Sequence, residues 1–480
     1  MQDNIKVTLI VAVDSKYGIS KNNSIPWRIR EDMLFFQDVT KRPYMNNRMN
    51  ALIMGRNTFE SLPNKKPLPD RINIIVSGTL VDPNLNIVTS LNDAISLATN
   101  LNVGRIFIAG GSRIYNDALE LNLVDDIYLT KIDKDYECDN FINQQYIKKF
   151  MIYNNNEFHL TQDNIKVNFM KLFKHRWSLQ WNINHTELSY QKLLKEIIQE
   201  GDHRNTRNGN TWSLFGKTFE FDLSKEFPLL TTKKVSLNNI FQELMFFIRG
   251  DTNTKHLSDI NVNIWEPNTN RQYLDATNLS HYETYDMGPM YGFNWRHYGQ
   301  EYEGMNTDYT NKGIDQLKEC IDLIKNNPTS RRIIMTSFNP SNVKQGCLYP
   351  CHSLIIQFYI EKQNKLSMQM YQRSCDMAIG FPYNCASMAL LNHMICEIVN
   401  NDVSYTGNKL TPGRLLHVLG DMHVYENHYG NIVRQYLREP FNFPKLITKR
   451  KVTDLLDFKF EDFELEYYIH YPFIKFEMNA

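Results

Sequence analysis

Short apolar runs alternate with helix-spaced apolar positions through the first third of the chain. Residues 7–13, 51–54, 72–77, 105–109 and 126–132 read as strands, and 91–100 and 112–119 as helices between them. Strands punctuated by helices predict an α/β domain with a mostly parallel central sheet flanked by helices. A last alternating stretch, 165–173, closes that domain. The polar, tryptophan-containing segment 174–185 then reads as a short linker. This gives an N-terminal domain at 1–173 and a C-terminal one at 186–480.

The texture changes after the linker. Thr186 and Glu187 are placed to cap a helix running to Gly201. Residues 236–249 form a strong helix, with apolar positions at 237, 240, 241, 244, 245 and 248 and with Phe246 and Phe247 widening the apolar surface. The same pattern predicts a central helix over 387–399, and strands are expected over 332–338, 354–359 and 365–371. The second half is therefore read as α+β.

Composition narrows the function. The 480 residues are 42% hydrophobic, enough for large cores, and carry 53 basic and 53 acidic side chains. A formal charge of zero gives no global attraction to nucleic acid or membrane, so any anion site is local. No stretch reaches the length of a membrane span. Seven cysteines without a CxxC pair, and no signal-type leader, point to free thiols in a reducing compartment, with the cytoplasm as default.

The chemistry concentrates at Pro350-Cys351-His352-Ser353, which lies between Arg331-Arg332 and Gln372-Arg373-Ser374-Cys375-Asp376. Positive charge stabilises a thiolate, and the same arginines can hold a phosphate. The alternative is a cysteine packed at the start of a strand. Cys347, Cys351 and His352 supply half a metal site, but no second paired-ligand motif accompanies them, so no metal is expected. Cys351 and His352 as a direct nucleophile–base pair conflicts with the opposite facing of adjacent strand residues. In the N-terminal domain, Asp32 opens a helix leading to Phe36. It reads either as a helix-terminus acid or as a carboxylate projecting into an apolar pocket that takes an amidine-like ring. Met54-Gly55-Arg56-Asn57-Thr58 and Ala109-Gly110-Gly111-Ser112 each run from strand to helix, and two such turns suggest a dinucleotide.

Residues 5–173 resemble dihydrofolate reductase. The motifs that carry the likeness are Val-Asp-Ser-Lys-Tyr-Gly-Ile, Ile-Pro-Trp, Met-Gly-Arg-Asn-Thr-Phe-Glu-Ser, Pro-Leu-Pro-Asp-Arg-Ile-Asn-Ile-Ile-Val-Ser, Ala-Gly-Gly-Ser-Arg-Ile-Tyr and Ile-Tyr-Leu-Thr. The resemblance implies hydride transfer from NADPH to dihydrofolate. It assigns Asp32 to the pterin and to N5 protonation, with Phe36, Arg71 and Thr130 completing the folate site. It assigns Ile10, Gly18, Gly55, Arg56, Thr58, Ser77, Gly110, Gly111, Ser112, Arg113, Ile114 and Tyr115 to NADPH. Ala109 stands where Ile or Val is usual, which implies a larger pocket and an altered antifolate fit.

Residues 186–480 resemble thymidylate synthase. Here the motifs are Phe-Pro-Leu-Leu-Thr-Thr-Lys-Lys, Asp-Met-Gly-Pro-Met-Tyr-Gly-Phe-Asn-Trp-Arg, Pro-Cys-His, Gln-Arg-Ser-Cys-Asp, Gly-Phe-Pro-Tyr-Asn and Gly-Asp-Met-His-Val-Tyr. The resemblance implies attack of Cys351 on dUMP, methylation by 5,10-methylenetetrahydrofolate, and release of dTMP and dihydrofolate. It assigns Arg207, Arg373 and Ser374 to phosphate, and Arg331 and Arg332 to the phosphate of the other subunit of an obligate homodimer. Asn384 and Asp376 fall to dUMP, His423 and Tyr425 to its sugar, and Asp376, Trp265 and Asn268 to folate. Glu243 is implied as the proton relay, although periodicity alone groups it with Asn239 and Gln242 on a solvated row. Arg373 is expected to lower the Cys351 pKa. His352 and Tyr291 support the site from behind, and the tail at 478–480 closes over the ligand. Two departures are Asn294, where Gln is usual, and a polar tail end. The fused order resembles the protozoan and plant arrangement. The alternative keeps an active synthase with a non-catalytic reductase-like scaffold.

Overall fold

A computed structural model describes residues 5–44, 48–160, 164–174 and 184–479. The chain divides into two compact units, Met1–Asn182 and Ile183–Ala480. Most of the segment read as a linker lies outside the described residues. His185, assigned to it, already belongs to the helix His185–Glu200.

The first unit is built on strands β1 (Val7–Val13), β2 (Gly18–Ser20), β3 (Ala51–Gly55), β4 (Ile72–Val76), β5 (Asn86–Val88), β6 (Ile106–Ile108), β7 (Asp126–Ile132), β8 (Asn140–Phe141), β9 (Met151–Leu160) and β10 (Ile165–Phe173). Eight of them form one sheet in the order β5-β4-β3-β6-β1-β7-β10-β9. Pairing is parallel from β5 to β7 and antiparallel at β10 and β9. Strands β1, β3, β6 and β7 are buried almost throughout, as expected of parallel strands covered on both faces. After β5 the chain returns across the sheet to insert β6 between β3 and β1. Loops leaving the carboxyl ends of β3, β4 and β6 consequently gather at one rim, where ligands bind in open α/β sheets.

The second unit carries a six-stranded sheet, β11 (Asp202–Thr206), β12 (Gly209–Asp222), β16 (Thr411–Tyr425), β15 (Lys365–Asp376), β14 (Ile355–Glu361) and β13 (Ile334–Thr336), in that spatial order. Its single parallel pair, β15 with β16, is bridged by the helix Gly380–Asn401. That helix is buried on nearly every side, which matches a central helix but extends the predicted 387–399 in both directions. Leu237–Ile248 is the second buried helix, capped by Ser236, whose hydroxyl accepts the Asn239 N–H.

Two local expectations are corrected. The cap of the His185–Glu200 helix is Asn184, not Thr186, because the Asn184 side chain accepts the Glu187 N–H. The Cys351–His352 dipeptide is not at a strand start: β14 begins at Ile355, and the backbone before it is irregular, with Ser353 at positive φ. Among the described residues, no helix is long and apolar enough to cross a membrane.

Candidate functional sites

At the rim of the first sheet, Gly55 N–H donates to the Gly110 carbonyl at 2.8 Å, locking the β3 and β6 turns together. A side chain at Gly110 or Gly111 would meet Thr58 Oγ1 at 3.3 Å. The bare backbone leaves a cradle leading into the helix Ser112–Glu120, the arrangement a pyrophosphate needs. Arg56 Nη1 donates to Thr79 Oγ1 at 2.7 Å. Ser77 Oγ accepts the Leu80 N–H at 2.9 Å, so a guanidinium and hydroxyls collect at the ends of β3 and β4. These groups fit a phosphorylated dinucleotide. Ile10 contributes its carbonyl, which accepts the Tyr115 hydroxyl at 2.8 Å. Gly18 has a packing reason to be glycine, because a Cβ there would lie 2.3 Å from Cys138 Cβ. Arg113 points outward and pairs with Asp117 at 3.7 Å, while Ile114 is buried.

Asp32 occupies the first turn of the helix Arg30–Lys41. It is not an ordinary exposed helix-terminus acid. Burial pushes its carboxyl up to about 6, against the pull of a hydrogen bond with Thr130. Burial also raises the Tyr115 hydroxyl, with the Asp32 charge adding to the effect. Asp32 therefore lies beside Thr130 and within electrostatic reach of Tyr115. Phe36 sits one turn on from Asp32, on the same helix face. Arg71 is buried and anchored, donating to Pro69 O at 3.0 Å and Thr40 Oγ1 at 2.9 Å.

In the second unit a cavity of about 560 Å³ is lined by Cys351, Arg207, Arg373, Ser374, Asp376, His423 and Tyr425. Seven residues singled out from sequence thus converge, although they are spread over more than 200 positions. Strand pairing explains part of this, since Asp376 sits opposite His423 and Ser374 opposite Asp421 in the β15–β16 ladder. Arg373 is oriented by its own neighbourhood, donating from Nε to Pro350 O at 2.8 Å and from Nη2 to Tyr349 O at 2.9 Å. His423 Nδ1 lies 2.9 Å from Asp421 Oδ1. Asp376 Oδ1 accepts the N–H groups of Ala378 and Ile379, fixing the turn into the central helix.

Behind Cys351 stands an aromatic stack. Tyr291 and His352 are 4.4 Å apart and nearly parallel, with Phe247 and Trp265 against Tyr291. Burial holds His352 neutral, down to about 3, so it is no base for the thiol. Arg373 lowers the Cys351 thiol as expected, but burial outweighs Arg373 and Tyr291 together and leaves the thiol above its ordinary value. The solvated-row reading of Glu243 also fails. Glu243 is buried, accepts Trp265 Nε1–H at 2.9 Å, and is pushed by burial up to about 7. Asn268 is buried beside Trp265, donating its N–H to the Trp265 carbonyl.

Some predicted residues stand apart. Asn384 is buried and does not line the cavity, donating to Gln372 Oε1 at 3.2 Å. Arg331 and Arg332 are exposed and do not line the cavity. Asn294 spends its amide within the fold, donating to Pro289 O and Ser337 O, so the shorter side chain is satisfied there. Five cavity residues escaped the sequence reading: Asn208, Thr277, Leu279, Val343 and Lys344. Asn208 follows Arg207 directly and offered that signal. Among the described residues, no group of three or more His, Cys, Asp or Glu is placed to hold a metal ion.

The family model described as dihydrofolate reductase matches residues 6–174, and the one described as thymidylate synthase matches residues 188–480. The chain is 38% identical to the bifunctional dihydrofolate reductase-thymidylate synthase of Paramecium tetraurelia, over 100% of both chains. It is 37% identical to the Zea mays protein of that name, over 98% of this chain and 96% of the other. The chain belongs to the bifunctional dihydrofolate reductase–thymidylate synthase family. The first unit is the reductase, an oxidoreductase, and the second the synthase, a methyltransferase. The Plasmodium chabaudi relative, 36% identical over 91% of this chain, carries the same pair in its name. A dual enzyme of folate and nucleotide metabolism accounts for both pockets in one polypeptide.

Proposed function

We propose that Cys351 adds to C6 of dUMP in the 560 Å³ cavity, with the nucleotide phosphate on Arg207, Arg373 and Ser374 and the sugar on His423 and Tyr425. The convergence of a half-buried thiol with these cations supports this reading more than any other observation. Addition makes C5 nucleophilic, and C5 takes the one-carbon unit of 5,10-methylenetetrahydrofolate. The C5 proton is lost, and the bond from the transferred carbon to the folate nitrogen breaks. Hydride from that folate then completes the methyl group as the Cys351–C6 bond breaks, releasing the thiolate, dTMP and dihydrofolate. Glu243, poised near neutrality, moves protons toward uracil O4. Asn384 reads the uracil edge, while Asp376, Trp265 and Asn268 face the folate.

In the reductase, NADPH when bound supplies the hydride. Gly55, Thr58, Gly110, Gly111 and the Ser112 end of its helix hold the pyrophosphate, and Arg56 and Ser77 favour a 2′-phosphate. Asp32 pairs with the pterin amidine and promotes N5 protonation, Phe36 packs on the ring, and Arg71 takes the folate carboxylate.

The synthase acts as a homodimer, with Arg331 and Arg332 reaching the partner's phosphate site. Ile334, Ile355 and Tyr359 are exposed on strands β13 and β14, an apolar strip that favours a second subunit. All seven cysteines are free, which suits the cytosol. The deciding experiment supplies dUMP, methylenetetrahydrofolate and NADPH and follows dTMP and NADPH separately. Cys351→Ala abolishes dTMP, and Asp32→Asn abolishes NADPH oxidation with added dihydrofolate. A wild-type protein that makes dTMP but never oxidises NADPH would leave the reductase domain a scaffold.

A further inference from the structure

The first helix of the synthase unit buries a carboxylate that none of the assigned chemistry uses. Glu187 has no exposed surface. Its Oε1 accepts the N–H groups of Thr231 at 2.9 Å and Thr232 at 2.7 Å, and its Oε2 accepts the Thr231 hydroxyl at 2.6 Å. A buried carboxylate is retained only where donors surround it, and here they come from one short strap, Thr231-Thr232-Lys233.

That strap holds the C-terminal tail. Thr231 O accepts the Tyr471 N–H at 2.8 Å. Arg438 Nη1 donates both to Thr232 O at 2.7 Å and to Pro472 O at 2.9 Å. The Lys233 ammonium lies 4.6 Å from the Phe476 ring centre. Farther along, Asn479 O accepts Asn208 Nδ2 at 3.3 Å, which brings the tail to the cavity rim. The strap and helix also hold the turn after Asp376: Lys233 Nζ donates to Ala378 O, and the Tyr190 hydroxyl to Met377 O at 2.8 Å.

We infer that Glu187 is a positioning residue that sets both the closing tail and the Asp376 turn, and through them the folate subsite, without touching substrate. The inference rests on the synthase reading above. With the strap loosened, dUMP still finds Arg207 and Arg373, but the folate meets a displaced lid.

The test compares wild type, Glu187→Gln and Thr231→Val in the full chain. Glu187→Gln keeps volume while replacing one acceptor by a donor; Thr231→Val removes the hydroxyl from the other side. Both variants are expected to raise KM for methylenetetrahydrofolate about tenfold while dUMP affinity changes less than about twofold. Carboxypeptidase should trim the tail several-fold faster in both. Unchanged folate KM and unchanged trimming, whatever the melting temperature, would overturn the inference. If Glu187→Gln does not accumulate as folded protein, Thr231→Val decides alone. If wild type makes no dTMP, the synthase reading fails, and the trimming comparison still judges the positioning role.

Discussion

The Tyr291 hydroxyl accepts the Cys351 backbone N–H at 3.1 Å and lies 3.5 Å from Cys351 Sγ. An oxygen that accepts from the backbone keeps its proton for the sulfur. Burial raises the thiol, so the ionised form depends on Tyr291 and on the Arg373 charge. Tyr291→Phe removes the first of these. A hydrogen bond to a charged group contributes about 1.5–3 kcal/mol, so thiolate reactivity should fall about 10- to 100-fold near neutral pH. Iodoacetamide alkylation of Cys351 followed against pH should show its midpoint displaced upward. An unmoved midpoint would mean that the contact only packs.

A second consequence concerns Glu243. Its carboxyl is held near neutrality by burial, with Trp265 as hydrogen-bond partner. Glu243→Gln keeps the shape and the acceptor for Trp265 Nε1–H but cannot carry a proton. dTMP formation should drop about 100-fold or more, the usual contribution of a positioned acid or base, with dUMP binding nearly unchanged. Equal losses in binding and turnover would instead assign Glu243 to holding the pocket together.

Much of this arrangement was legible in the sequence. Strands β1, β7 and β10 and the helix Leu91–Asn100 sit where the apolar pattern put them. The long strands β12 and β16 were not foreseen, for a physical reason. Their buried positions include Thr211, Ser213 and His417, and each strand carries an internal glycine, Gly216 and Gly420, so polarity and turn signals mask the alternation. The burial of Glu243 was equally hidden, because a helix face holding Asn239 and Gln242 looks wet until Trp265 folds over it. Thr277 and Lys344 carried no motif; only the fold brings them to the cavity.

Asp32 yields a prediction in which stability and activity part. Its folded pKa, about 6, lies above the ordinary carboxylate value. A group raised in this way favours the folded state fully below the unfolded pKa, and that stability is lost as pH climbs through about 6. Asp32→Asn has no such dependence. Its reductase unit should match wild type near pH ~4 and become more stable above pH ~6.5, by on the order of 2 kcal/mol. NADPH-dependent reduction of dihydrofolate should be lost at the same time. Melting curves at several pH values check the first part, and parallel curves for both proteins would refute it.

Arg331 and Arg332 supply the test of subunit exchange. Both are exposed and neither lines the cavity of its own chain. If they complete the partner's phosphate site, two dead proteins should rescue each other. Cys351→Ala keeps its arginines, and Arg331→Ala/Arg332→Ala keeps its thiol. In a mixed dimer one site combines both lesions, while the other receives an intact thiol and intact arginines. Random reassortment makes half the dimers mixed, so about one quarter of wild-type dTMP activity should return. Mixing without reassortment restores nothing and provides the control. A reassorted mixture that stays inactive would place the arginines outside the partner's site, and the apolar strip on β13 and β14 would need another occupant.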